Sequence, residues 1–224
     1  MLNLIPNMEN FKLISPIQQQ YMENKNICIV TQWKGSQLKI NGRNIYGWMG
    51  HPGWDYRTYL PFKYIYEMKD GVMSVVKQNN IGFEKCHVPV RAMHKGTVIS
   101  VANNYSRDYG YNVIVESDEV LIDGRICKVR TRHAHLSQTI KKAGDRVAAR
   151  TIIGISGNTG ISTASHLHSE HIAYWKIGNF YIPEEKWGSQ IRLDPKDFLS
   201  DGIRYQDAYS AKFFQAPMED PYLI

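Results

Sequence analysis

Within TASHLHSEHIAY, Thr163 to Tyr174, three histidines and a glutamate fall in six positions: His166, His168, Glu170 and His171. Imidazole and carboxylate groups in such density suit metal binding or proton transfer near neutral pH, provided that they converge. Side chains two apart share a face on a β-strand and diverge on a helix. The preceding TIIGISGNTGIST is β-branched and then broken by Gly157-Asn158-Thr159-Gly160, which punctuates a strand. Residues Ser165 to Ala173 are therefore expected to be extended, with His166, His168 and Glu170 on one face and Leu167, Ser169 and His171 on the other. A sheet's wet face also carries polar residues, so chemistry at this strand needs partners from elsewhere.

Two other stretches offer them. RTRHAHLS, Arg130 to Ser137, repeats the pattern, and strand periodicity puts His133 and His135 on one face with Ala134 and Leu136 on the other. HPGWDY, His51 to Tyr56, sets a histidine and an aspartate four apart; Pro52-Gly53 disfavours a helix, so a tight loop is expected. Hydrolytic zinc sites take three ligands from His and Asp/Glu and keep a position for water, whose pKa falls to about 7. One carboxylate and two imidazoles would fill such a site and leave histidines for proton transfer. The cysteines, Cys28, Cys86 and Cys127, lie far apart without the C-x-x-C spacing of a structural zinc site. Neither H-E-x-x-H nor a G-x-S-x-G elbow occurs, and no glutamate follows His135 at the short distance of a cupin-type oxygenase.

HPGWD, HAHLS and GNTGISTASHLHSE, in that order, resemble the three signatures of the lysostaphin/LytM-type zinc endopeptidases, which cut peptide bonds in bacterial peptidoglycan, and in particular their virus-borne members. The likeness runs from about Pro16 to Leu199 and is strongest at the motifs; VPVRAMHKGTVISV, AGDRVAARTIIGISGNTG and LDPKDFL resemble the strand units and ending between and after them. It implies one Zn2+ ion held by His51, Asp55 and His168, with His135 and His166 as catalytic histidines. Glu170, facing the same way as His168, is a candidate to orient it, with a solvated strand residue as the alternative.

Departures from the family pattern are local except one. His133 stands where tyrosine is usual, a spare imidazole near the site; Ser169 replaces phenylalanine and Ala164 glycine. The largest is the insertion from Tyr56 to His87, rich in aromatics and lysine, which is either a local core or a wall over the groove. Upstream, SPIQQQ to HPGWDY resembles the leading segment of virus-borne members and brings Tyr46 and Trp48 close enough in sequence to His51 to line a groove. His87 and His94 are expected to be surface or structural residues rather than ligands, and His171, on the opposite strand face, to take no part in the site.

These motifs need a sheet to position them. NVIVES, EVLI, CKVRTRHAHL and RTIIGISG alternate or run β-branched, and Asp123-Gly124 marks a hairpin between two of them. The fold expected is mainly β, an antiparallel sheet with a substrate groove over it and a few short helices, around Pro195 to Leu199 and at Ser137 to Lys142. The 224 residues, 43% hydrophobic, suffice for one core. The expected organisation is an N-terminal segment (1–15), a zinc endopeptidase domain (16–199) with an insertion at about 56–87, and a C-terminal tail (200–224) that packs on the domain or docks to a partner.

A net charge of +6 and a pI of about 9.1 favour anionic wall polymers; without a dense Lys/Arg stripe, nucleic acid is not an expected partner. Three cysteines without framework spacing argue against a disulfide-built secreted protein. No basic stretch followed by a long apolar run opens the sequence, so neither a signal peptide nor membrane insertion is expected. A wall hydrolase without an export signal implies a bacteriophage protein, in the virion tail or made in the host cytoplasm and released at lysis, with other tail proteins as further partners. The competing class is a non-catalytic module that binds peptidoglycan or a tail partner through the same groove.

Overall fold

The computed structural model describes residues 8–18, 27–40, 43–44, 46, 48–58, 63–69, 72–78, 87–103, 105, 108–110, 111–184, 192–210 and 212–219. It is almost entirely β. The first strands are β1 (Ile27–Gln32), the short pair β2 (Lys39–Ile40) and β3 (Arg43–Asn44), and β4 (Trp54–Arg57). Inside the insertion, β5 (Lys63–Lys69) and β6 (Val72–Gln78) form a separate antiparallel hairpin; the expected wall or local core made by its aromatics lies outside the described residues. There follow β7 (Pro89–Arg91), β8 (Gly96–Asn103), β9 (Tyr111–Glu116), β10 (Val120–Ile122) and β11 (Arg125–Thr139). The last are β12 (Arg146–Val147), β13 (Ile152–Ser156), β14 (His166–Ile177), β15 (Phe180–Pro183), β16 (Arg204–Asp207) and β17 (Phe213–Gln215).

A main sheet of 13 strands runs in the order β12-β8-β9-β11-β14-β4-β1-β16-β17, with β7, β10, β13 and β15 paired off that path. The period-two segments explain its centre. In β11, Cys127, Val129 and Thr131 are buried, whereas Lys128, Arg130 and Arg132 between them are part-exposed. Asp123 and Gly124 join β10 to β11 with φ of 49° and 73°, the doubly left-handed two-residue turn that Asp-Gly favours.

Three features differ from the sequence expectation. Among the described strands pairing is antiparallel except between β1 and β16, which run parallel, so the sheet is mixed. Ser137 to Lys142 contains no helix: Leu136, Gln138 and Thr139 keep pairing with β13, and that ladder outweighs local propensity. At the Pro195 candidate a single 3-10 turn, Pro195–Asp197, forms, its start capped by the Asp194 carboxylate accepting from the Lys196 amide. No described helix is long and apolar enough to cross a membrane.

Residues beyond 199 complete the sheet. Tyr205 on β16 is fully buried and packs edge-on against Trp54 at 5.6 Å. Asp201 accepts from the Ser15 amide at 2.6 Å and the Tyr205 hydroxyl at 2.7 Å, tying the N-terminal segment to the C-terminal strands. At the middle of this scaffold β14 lies between β11 and β4, which places three histidine-bearing segments side by side.

Candidate active site

Register alone brings Asp55 and His168 together, since they are direct partners across β4 and β14. His168 Nδ1 lies 2.7 Å from Asp55 Oδ1. His51 enters from the loop before β4, where Gly53 lies so close to β14 that an added Cβ would come within 2.1 Å of the Ser169 carbonyl oxygen. That approach sets His51 Nε2 at 3.3 Å from the same Asp55 oxygen. The ligand atoms of His51, Asp55 and His168, all buried, lie within 4.8 Å of one another. Two imidazoles and one carboxylate are the donor set of a hydrolytic zinc site, and the three fit that ion.

The hydrogen bonds of the four site histidines fix which nitrogen is available. His51 Nδ1 donates to the Gly53 carbonyl at 2.7 Å, His135 Nδ1 to that of Thr159 at 2.8 Å, and His166 Nδ1 to that of Ala164 at 2.7 Å. A carbonyl can only accept, so each ring carries a proton on Nδ1 and turns Nε2 toward the site. In His168 the order is reversed: Nε2 donates to Glu170 Oε1 at 3.0 Å, and Nδ1 faces Asp55. The His135 ring centroid lies 4.7 Å from that of His166 and 5.7 Å from that of His168, and His166 Nε2 is 3.6 Å from Asp55.

Charge is concentrated on the carboxylates. Burial alone would raise the Asp55 pKa, but His166, His168 and His51 hold it well below the usual range. Burial opposes a charge on His168, yet Asp55 and Glu170 on either side push its pKa up to about 9, so it carries a proton that a metal ion would replace. Burial pushes His135 down to about 3, with His166 and His168 adding to the effect, and keeps it neutral. Glu170, also buried, is held below the usual carboxylate range by His168, Arg192 and Tyr109. Its Oε1 also accepts from the Tyr109 hydroxyl at 2.7 Å, and its Oε2 pairs with Arg192 at 2.9 Å.

His133 and His135 do not share a face, contrary to their spacing. The pairing of β11 with β9 slips between His133 and Leu136, and His135 adopts a left-handed φ of 59°. This bulge turns His135 to the Asp55 side. Thr159 holds it there, its carbonyl taking the His135 proton and its hydroxyl donating to the Leu136 carbonyl at 2.6 Å. His133 pairs with Ser169 on the opposite face, fully buried, so it is not a groove residue.

On that inner face His133 joins His94 and His171, both buried and neither expected to be a ligand. His94 donates from Nδ1 to the Lys95 carbonyl, accepts on Nε2 from Thr131 at 2.8 Å, and Thr131 in turn accepts from His171 Nδ1 at 2.9 Å. Both imidazoles of this chain, His94 and His171, are held neutral by burial. Among the described residues neither nitrogen of His133 has a side-chain hydrogen-bond partner. Burial and then His94 push its pKa down to about 3, with the Val113 backbone opposing; burial pushes His94 down to about 4. Because the folded values lie below the unfolded one of about 6.5, the stability these residues support is complete above pH 6.5. It is lost as pH falls toward 4, by up to about 1.4 kcal/mol per pH unit for each histidine. His133→Leu should therefore stabilise the protein by about 1 kcal/mol at pH 7 and by more at pH 5. Urea unfolding at the two pH values checks this; an equal effect at both would mean that His133 is not held neutral.

Of the remaining candidates, Tyr46 lies with its ring 4.9 Å from that of His51 and donates to Gln32, so it borders the site. Trp48 is 74% exposed. Tyr109, Thr159 and Arg192 were not candidates from the sequence. Only Thr159 carried a signal, as part of the Gly-Asn-Thr-Gly turn.

A family model, Peptidase family M23, matches residues 67–178, half of the chain. His51 and Asp55 lie upstream of that match and join the site through the β4 pairing. The chain is 41% identical over 93 residues to the glycyl-glycine endopeptidase ALE-1 of Staphylococcus capitis, covering 40% of this chain and 23% of that protein. It is 34% identical over 85 residues to the peptidoglycan DD-endopeptidase ShyA of Vibrio cholerae, covering 38% and 17%. The chain thus spans less than a quarter of the length of these curated relatives. Among solved structures, the catalytic domain of lysostaphin from Staphylococcus simulans aligns with a TM-score of 0.45 at 24% identity, over 75% of this chain and 90% of that one.

Proposed function

From a chain that belongs to Peptidase family M23, we propose a zinc-dependent endopeptidase that hydrolyses peptide bonds in the stem or cross-bridge of bacterial peptidoglycan. The observation that carries this is the convergence of His51, Asp55 and His168 within 4.8 Å, beside His135 and His166, whose Nδ1 atoms are held by backbone carbonyls. Zinc held by three protein ligands supplies Lewis acidity that makes water a nucleophile near neutral pH. His135, held neutral, accepts the proton of the attacking water on Nε2 and returns it to the leaving amine nitrogen, with His166 beside it as the second catalytic imidazole. As imidazolium, either one stabilises the oxyanion of the tetrahedral intermediate. Glu170 keeps the His168 proton on Nε2 and so leaves Nδ1 for the metal. The peptidoglycan substrate is supported by the family and by what ALE-1 and ShyA are named for.

The test is mass analysis of fragments released from intact sacculi by zinc-loaded protein, with a chelated sample and His168→Ala alongside. New peptide termini that vanish in both controls are expected. Unchanged sacculi from several wall types would instead favour a peptidoglycan-binding module. The finer proposal, a bacteriophage wall-degrading protein, is supported by the likeness of residues 15–56 to virus-borne members; absence of the chain from both purified virions and phage lysates would remove it.

A further inference from the structure

Beyond the metal set, the open face of β11 and β14 carries a row of cations, and one of them stands apart. Arg132 pairs in register with Glu170, two positions along β11 from Ala134, the partner of His168, so it lies on the face of the hydrolytic site. Its guanidinium sits 3.9 Å over the Tyr109 ring, and that ring is 5.9 Å from His168. The cation is thus one aromatic ring removed from the metal set.

The neighbouring cations are committed. Arg130 and Lys128 share the Glu116 carboxylate at 2.7 and 3.1 Å, and Arg192 is held by Glu170. Arg132 has no carboxylate or carbonyl partner among the described residues, and its Nε is buried without any hydrogen bond. A contact with an aromatic ring takes up none of a guanidinium's N–H donors, which leaves the fork that a carboxylate fills with two parallel hydrogen bonds. With two further cations in the row offset by one carboxylate, the surface beside the site is positive.

We propose that Arg132 is a specificity-determining residue that binds a free carboxylate of the substrate peptide near the scissile bond. This rests on the peptidoglycan endopeptidase reading. Stem peptides carry such carboxylates and oligoglycine bridges do not, so Arg132 directs the enzyme toward bonds in or beside the stem.

The test compares initial cleavage rates on native sacculi and on the same sacculi after carbodiimide-driven amidation of their carboxylates. The proteins are the zinc-loaded wild type, Arg132→Met, and Arg125→Met as a control for loss of a cation at the far end of β11. The wild type and the control should favour native sacculi by about tenfold or more, the worth of a charge-assisted bidentate contact. Arg132→Met should bring the ratio toward one. Equal wild-type rates on the two substrates, or an unchanged ratio in Arg132→Met, would overturn the proposal while leaving the endopeptidase intact. No cleavage of either by the wild type would overturn both.

Discussion

Asp55→Ala should leave the chain without bound zinc and reduce sacculus cleavage by at least about a thousandfold, some 4 kcal/mol of barrier. Asp55 is the hub of the site, its Oδ1 at 2.7 Å from His168, 3.3 Å from His51 and 3.6 Å from His166. Without it two imidazoles remain to hold the ion, and the buried charge that offsets it is gone. Metal content by mass spectrometry and the zinc-induced rise in melting temperature check the first part. Added zinc at a thousand times its dissociation constant stabilises a competent site by about 4 kcal/mol, and the variant should show no such shift. Asp55→Asn, which keeps the shape and removes the charge, should behave the same way. One zinc per chain in Asp55→Ala would remove Asp55 from the ligand set; retained cleavage without metal would sink the zinc hydrolase altogether.

The phase of β14 was legible because its alternation is unbroken: His166, His168 and Glu170 point toward one site, His171 away from it. The hairpin at Asp123-Gly124 was legible for a similar reason, its chemistry being local. Periodicity could not separate His133 from His135, because a bulge inserts one residue and reverses the phase without a mark in the residue types. A left-handed histidine has no sequence signature; the hydrogen bonds that hold it come from Thr159, 24 positions on in the chain. Tyr109 and Arg192 reach Glu170 across 61 and 22 positions, and only the folded sheet makes them neighbours. The ligand roles came from the family likeness, since spacing alone left five histidines equivalent. The parallel pairing of β16 with β1 was hidden because four residues of moderate polarity, RYQD, do not reveal their partner.

His135→Ala should lower kcat by about a hundredfold to ten-thousandfold, the usual worth of a general acid–base group, while zinc stays bound and KM changes little. Among the described residues, His135 meets the metal set through its ring contact with His168, and no hydrogen bond ties up its Nε2. His166 lies 4.7 Å away, centroid to centroid, so the pair acts on one proton inventory. The double variant His135→Ala/His166→Ala should therefore cost far less than the product of the single losses. The bulge adds a second readout. A non-glycine residue at φ 59° stores strain that glycine does not, so His135→Gly should be more stable than His135→Ala by about 1 kcal/mol and equally inactive. Loss of zinc from His135→Ala would make His135 a ligand, and full activity in that variant would leave the proton work to His166 alone. The expected result, activity lost and zinc kept with glycine more stable than alanine, ties the strained backbone at this position to the proton transfer it serves.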